Sequence, residues 1–180
     1  MSFPYCVGQI PVFYNHMNTG RPFFGDYRKE RYASQYLDIP NQPLFPFGYG
    51  LTYTTFSCSE VELDKNIFSA GDAIHATVHL TNIGSRAGTE TLQLYIRDLA
   101  ASVTRPVRQL KGFQKVTLQP GETAKITFRI TEEMLRFYDI YMNYTSEPGD
   151  FHLFIDSGHE ASIAATKTFT APQQTTRSLH

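Results

Sequence analysis

The stretch Ile74-His75-Ala76-Thr77-Val78-His79-Leu80 sets an apolar side chain at every second position and a polar one between each pair. Successive side chains leave opposite faces of a strand, so a period of two predicts a strand with one face in a core and the other in water. The pattern returns in Leu92, Leu94 and Ile96 between Thr91, Gln93, Tyr95 and Arg97. It returns again in Ala124, Ile126, Phe128 and Ile130, and in Phe151, Leu153 and Ile155. Cys58 to Leu63, Leu110 to Leu118 and Ile163 to Thr170 are further strand candidates. Only Thr131 to Arg136 reads as helix, about one turn long, with Thr131 as N-cap and Glu132 and Glu133 in its first turn.

Three turns punctuate these strands with one chemistry: Ala70-Gly71-Asp72, Pro120-Gly121-Glu122 and Pro148-Gly149-Asp150. Each places Gly where a positive φ is expected, just before an alternating segment, and Asn82-Ile83-Gly84 ends its strand in a similar way. Seven or so short strands, with no helix long enough to link parallel neighbours, predict an all-β antiparallel sandwich over residues 55–171.

Upstream the pattern breaks at Tyr36-Leu37-Asp38-Ile39-Pro40-Asn41-Gln42-Pro43-Leu44-Phe45-Pro46-Phe47-Gly48-Tyr49-Gly50-Leu51-Thr52-Tyr53-Thr54-Thr55-Phe56. Three prolines fix φ and remove amide donors, which excludes a helix or a central strand. The same residues carry too many aromatic and aliphatic side chains for a solvated linker. A rigid extended connector over residues 36–54, lying against protein on at least one side, reconciles the two. Before it, Val7, Ile10, Val12 and Phe13 suit a short buried strand, but nothing nearby would pair with it. Residues 1–35 therefore read as the end of something larger. Residues 172–180 are polar and patternless, a disordered tail in expectation.

Composition narrows the functional classes. The chain has 180 residues, 41% of them hydrophobic, with 16 basic and 17 acidic side chains and a net charge of −1. No basic face suggests nucleic acid, and no apolar run approaches the ~20 residues of a membrane span. Cys6 and Cys58 read as isolated small hydrophobes in preference to a disulfide. His75 and His79 stand four residues apart on a strand, roughly 13 Å, too far to share a metal ion. His16, His152 and His159 have no ligand cluster around them, so neither a metal site nor a cofactor site is expected. Glycoside hydrolysis needs two matched carboxylates. Glu132 and Glu133 are explained by a helix start, and no spacing selects a pair from Asp139, Glu147, Asp150 and Asp156. No catalytic residue emerges.

Pro43 to Phe56 resembles the junction of family 3 glycoside hydrolases, the β-glucosidase type, where a fibronectin type III-like domain follows the catalytic domains. The resemblance extends through Val7 to Pro22, Ser102 to Glu122 and Glu147 to Ile155. The lack of Trp fits the fibronectin type III-like subclass better than a true immunoglobulin domain. The resemblance implies that residues 1–35 are a remnant of the preceding α/β sandwich domain. It implies no catalytic residue here, because the family's nucleophile and acid/base motifs lie upstream of the segment equivalent to Val7 to Pro22. The loop Asn15 to Pro22 matches the family pattern, near the substrate cleft or in domain docking. Phe45, Phe47, Tyr49 and Tyr53, with Arg21 of that loop, are the residues expected at an interdomain interface.

The implied role is a non-catalytic module of a β-glucosidase, an enzyme of O-glycosyl bond hydrolysis in carbohydrate metabolism, with a periplasmic or secreted location. The implied partners are the parent's catalytic domains, and self-association through the connector is a further expectation. A stand-alone carbohydrate-binding or adhesion module is the alternative, with an oligosaccharide as partner and Tyr138, Tyr141 and Tyr144 as its aromatics. Asn143-Tyr144-Thr145 has the form of a glycosylation sequon.

Overall fold

A computed structural model describes residues 2–10, 12–18, 20–21, 32–68, 71–157 and 163–171, with residues 163–167 described by backbone alone. The tail 172–180, His159, Ala70, and Thr19 and Pro22 of the upstream loop lie outside the described residues.

Ten strands are described: β1 (Phe56–Cys58), β2 (Glu62–Leu63), β3 (Ala73–Asn82), β4 (Gly88–Asp98), β5 (Gln109–Leu118), β6 (Thr123–Thr131), β7 (Phe137–Tyr138), β8 (Tyr144–Thr145), β9 (Gly149–Asp156) and β10 (Ile163–Ala171). One sheet holds β1, β2 and β6 around β3, and the other runs β10-β9-β4-β5, all antiparallel. β1 and β2 meet the same partner in registers one residue apart, Phe56 with Asn82 and Glu62 with Thr77. They are one edge strand broken by a bulge, which leaves seven strands in the sandwich, as the alternation predicts. A bulged edge is a poor template for further pairing.

The inward residues build one core. Ile74, Ala76, Val78 and Leu80 of β3 face Leu92, Leu94 and Ile96 of β4, with Ile126 and Ile130 of β6 and Leu153 and Ile155 of β9. Phe151 and Phe169 stack across β9 and β10 with ring centroids 5.4 Å apart. Outward on the first sheet, Thr77 and Thr127 hydrogen-bond across the strands at 3.0 Å, and Thr81 and Thr123 do so at 2.8 Å. His75 and His79 lie on that exposed face, and His75 pairs with Asp64 at 2.8 Å.

Several local expectations need correction. The helical turn is a 3-10 turn at Glu132–Leu135, and Thr131 makes no side-chain capping bond. Gly71 and Gly121 adopt positive φ, but Gly149 opens β9 in ladder pairing with Ala171 and has no need of it. Among the described residues between Val7 and Phe13 no strand forms, and Val7 is 99% exposed. Cys6 is exposed, and only Cys58 packs against the core. Both cysteines are free.

Leu153 is fully buried in the middle of this core. Leu153→Ala is expected to cost about 2–5 kcal/mol, lowering the urea midpoint at an unchanged slope. Thr77→Ala on the outer face should stay within about 0.5–1 kcal/mol of the parent chain. Similar losses from both substitutions would mean that the core is not where the fold's stability is held.

Candidate interdomain docking surface

Alternation along β4 predicts Gln93 and Tyr95 on a solvated face. They are instead 8% and 2% exposed, so β4 is buried on both sides. The cover comes from the connector. Gly48 turns with φ of +86° and brings its carbonyl against β4, where Gln93 Nε2 donates to it at 3.0 Å. The Tyr95 hydroxyl donates to Gln93 Oε1 at 2.5 Å, and the Arg108 guanidinium lies 4.8 Å above the Tyr95 ring. The backbone angle favours glycine, and a Cβ on residue 48 would stand 2.3 Å from Gln93 Oε1 and push that amide aside. Burial pushes the Tyr95 phenol up to about 12, partly offset by Arg108 and reinforced by Asp156.

The N-terminal residues are tied to the connector in turn. Phe3 and Phe45 exchange backbone hydrogen bonds of 2.8 and 3.2 Å, and their rings meet edge to face. Gln9, buried among polar partners, accepts from the Tyr5 amide and donates to the carbonyls of Pro40 and Gln42. Tyr14 packs on Phe47 with centroids 4.3 Å apart, and its hydroxyl accepts the Leu110 amide of β5. The His16 carbonyl accepts from Val107, and Met17 bridges to Pro106. Downstream, the buried Asn82 takes a hydrogen bond from Thr54 at 2.8 Å and donates to the carbonyls of Arg86 and Leu118. The connector is thereby fixed at its middle by Gln93 and at its end by Asn82.

Its other side is open. Leu51 is 87% exposed and Tyr53 94%, and Leu37, Val7, Ile10 and Phe13 also face outward. Phe3, Phe45, Tyr49, Gly50 and Leu51 line an open recess of about 360 Å³. Of the residues expected at an interface, Phe45, Phe47 and Tyr49 lie together in this layer, with Phe45 and Tyr49 rings 4.8 Å apart. Tyr53 stands clear of them, and Arg21 is exposed with its carbonyl accepting the Ser34 amide. Sequence reading missed Gln93, Gly48 and Asn82. Gln93 sits at a formally outward position, and only a partner distant in sequence reveals it.

Most of the acidic residues considered for chemistry are engaged in structural contacts. Asp139 accepts the amides of Tyr141 and Asn143, Glu147 the amide and hydroxyl of Ser102, and Asp150 the Thr170 hydroxyl. Glu132 binds Arg136 and Ser146, and Asp156 faces Arg108 at 3.9 Å. Asp98 is half-buried, and burial pushes its carboxyl up while the Ala100 amide and Arg105 oppose the shift. Among the described residues no three His, Cys, Asp or Glu side chains are grouped to hold a metal ion. No helix among them is long and apolar enough to cross a membrane.

Residues 90–158 match the family model of a fibronectin type III-like domain. The chain is 48% identical over 155 residues to a periplasmic beta-glucosidase of Salmonella typhimurium, covering 86% of this chain and 20% of that protein. It is 38% identical to a beta-xylosidase of Formosa agariphila over 94% of this chain and 22% of that protein. The crystal structure of beta-glucosidase from Listeria innocua in complex with glucose superposes with a TM-score of 0.86 at 41% identity, covering 96% of this chain and 23% of that one. The chain thus spans about a fifth of the length of the curated relatives it matches.

Gly48→Ala is expected to lift the connector from β4 at a cost of about 1–3 kcal/mol. Because folding holds the Tyr95 phenol above the unfolded value near 10, its stabilising share is full below pH ~10. That share is lost as pH rises through about 12. Phenolate absorbance should therefore show one late-titrating tyrosine, absent in Tyr95→Phe and shifted down towards the others in Gly48→Ala. An unchanged late step in Gly48→Ala would show that the connector is not what shields Tyr95.

Proposed function

We propose, from the premise that this chain belongs to the family 3 glycoside hydrolases as their fibronectin type III-like portion, that it is a non-catalytic module docking on and stabilising the catalytic domains of a β-glucosidase. The observation that carries this reading is the two-sided connector. One side is locked onto the sandwich through Gln93, and the other leaves Leu51, Tyr53 and the Phe45 recess open to water. Large exposed apolar patches mark interaction sites, and this one sits on a segment too rigid to fold it away. A permanent intrachain interface is the economical use for it. The relatives carrying this segment include both a beta-glucosidase and a beta-xylosidase, which supports a structural role over a sugar-selecting one. The engagement of Asp139, Glu147, Asp150 and Glu132 in structural contacts supports the same reading. A periplasmic or secreted location goes with it, by analogy with the Salmonella relative.

The test is Phe45→Ala with Phe47→Ala, made in the full-length enzyme and in the isolated chain. Buried aromatic truncation costs about 3–5 kcal/mol, so the full-length enzyme should lose melting temperature and activity together. The isolated chain, where Phe45 is already part-exposed, should keep a folded sandwich and show less of any oligomer in light scattering. An unchanged full-length melting temperature would reduce the connector to a tether. Separately, the isolated chain is expected to hydrolyse no aryl β-glucoside above background. Turnover that disappears on mutating one of its own carboxylates would refute the reading.

A further inference from the structure

The hairpin β7–β8 is small, rigid and apolar where it meets water. Tyr138 and Tyr144 are a directly opposed cross-strand pair with ring centroids 5.1 Å apart. Asp139 ties the turn: its carboxylate takes the amides of Tyr141 and Asn143, and its carbonyl takes the amide of Met142. At the tip Met142 has φ of +63°, a left-handed conformation that is costly for a side chain of its type. Met142 is the sole non-glycine residue in that conformation among the described residues. The strain displays Ile140, Tyr141 and Met142 outward, with Tyr141 77% exposed. A turn held by several hydrogen bonds and spending backbone strain to present apolar side chains has the character of a contact surface.

Its place in the fold indicates what it contacts. Phe137, the first residue of the hairpin, is buried beneath the Arg105 guanidinium at 4.2 Å. Next to Arg105, Pro106 bridges to Met17, and Val107 bonds the His16 carbonyl. The loop carrying these residues is thus held between the hairpin and the N-terminal segment, so the hairpin base and that segment share one support. A sugar is the poorer match. The rings of Tyr138 and Tyr144 are tilted 46° against each other and form no common flat platform.

We infer that the Phe137–Thr145 hairpin is a second docking lobe, seated on an apolar protein surface in the catalytic part of the same polypeptide. This rests on the proposed module role and adds a contact independent of the connector.

Two substitutions test it in the full-length enzyme and in the isolated chain, with Phe45→Ala/Phe47→Ala alongside. Met142→Gly removes the tip side chain and relieves its φ, so the isolated chain should melt at the same or a higher temperature. The full-length enzyme carrying it should melt lower by ~2–4 °C. Tyr141→Ser, at an exposed position, should act in the same direction. A parallel rise in both contexts for Met142→Gly overturns the inference, because the tip then faces water. Loss on the connector substitutions but not on the hairpin ones leaves the module role standing and sinks the second lobe alone. Loss on neither sinks both. An isolated-chain dimer abolished by Met142→Gly, or cello-oligosaccharide binding by calorimetry abolished by Tyr141→Ser, would assign the surface to a second copy or to a glycan and overturn the inference.

Discussion

The connector can lie where it does because β4 offers one side chain that satisfies an otherwise stranded carbonyl. Gly48 brings its backbone onto the outer face of the sheet, and Gln93 donates to it while accepting from Tyr95. Buried polar groups carry a cost unless paired, so the three groups are acceptable there only together. Removing any one would leave an unsatisfied atom under the connector. The N-terminal contacts depend on this placement in turn, since Phe3 pairs with Phe45 and Tyr14 with Phe47.

Asn82 plays the matching role at the far end of the connector. Fully buried, it links Thr54, the loop at Arg86 and the end of β5 through its side chain, and the turn at Gly121 through its backbone. Gly84 and Gly88 allow this closeness, because a Cβ on either would stand within 2.5 Å of Thr54 side-chain atoms. The junction between connector and sandwich is therefore an ordered polar knot, which transmits the orientation of one to the other.

Two groups among the exposed apolar residues differ in their physics. Those of the connector and N-terminal segment are backed by a rigid layer and surround an open recess. Those of the β7–β8 hairpin are presented by a strained turn.

The sequence by itself determined the sandwich. A period of two at Ile74–Leu80, Leu92–Ile96, Ala124–Ile130 and Phe151–Ile155 is a local signal, and glycine turns at Gly71 and Gly121 delimit it. It also excluded a helix or a central strand from the Pro/aromatic segment, since that property is written in single residues. The family resemblance rests on contiguous runs of the same local kind. What only the tertiary structure decided was which surfaces cover which. Val7, Ile10 and Phe13 have the composition of a buried strand yet are exposed, and among the described residues no strand pairs with them. Gln93 and Tyr95 have the alternation of a wet face yet are buried, because residues 45 positions away in sequence fold over them. Periodicity reports the face of a strand a side chain leaves from. Whether that face is then covered depends on long-range packing, which no local pattern encodes.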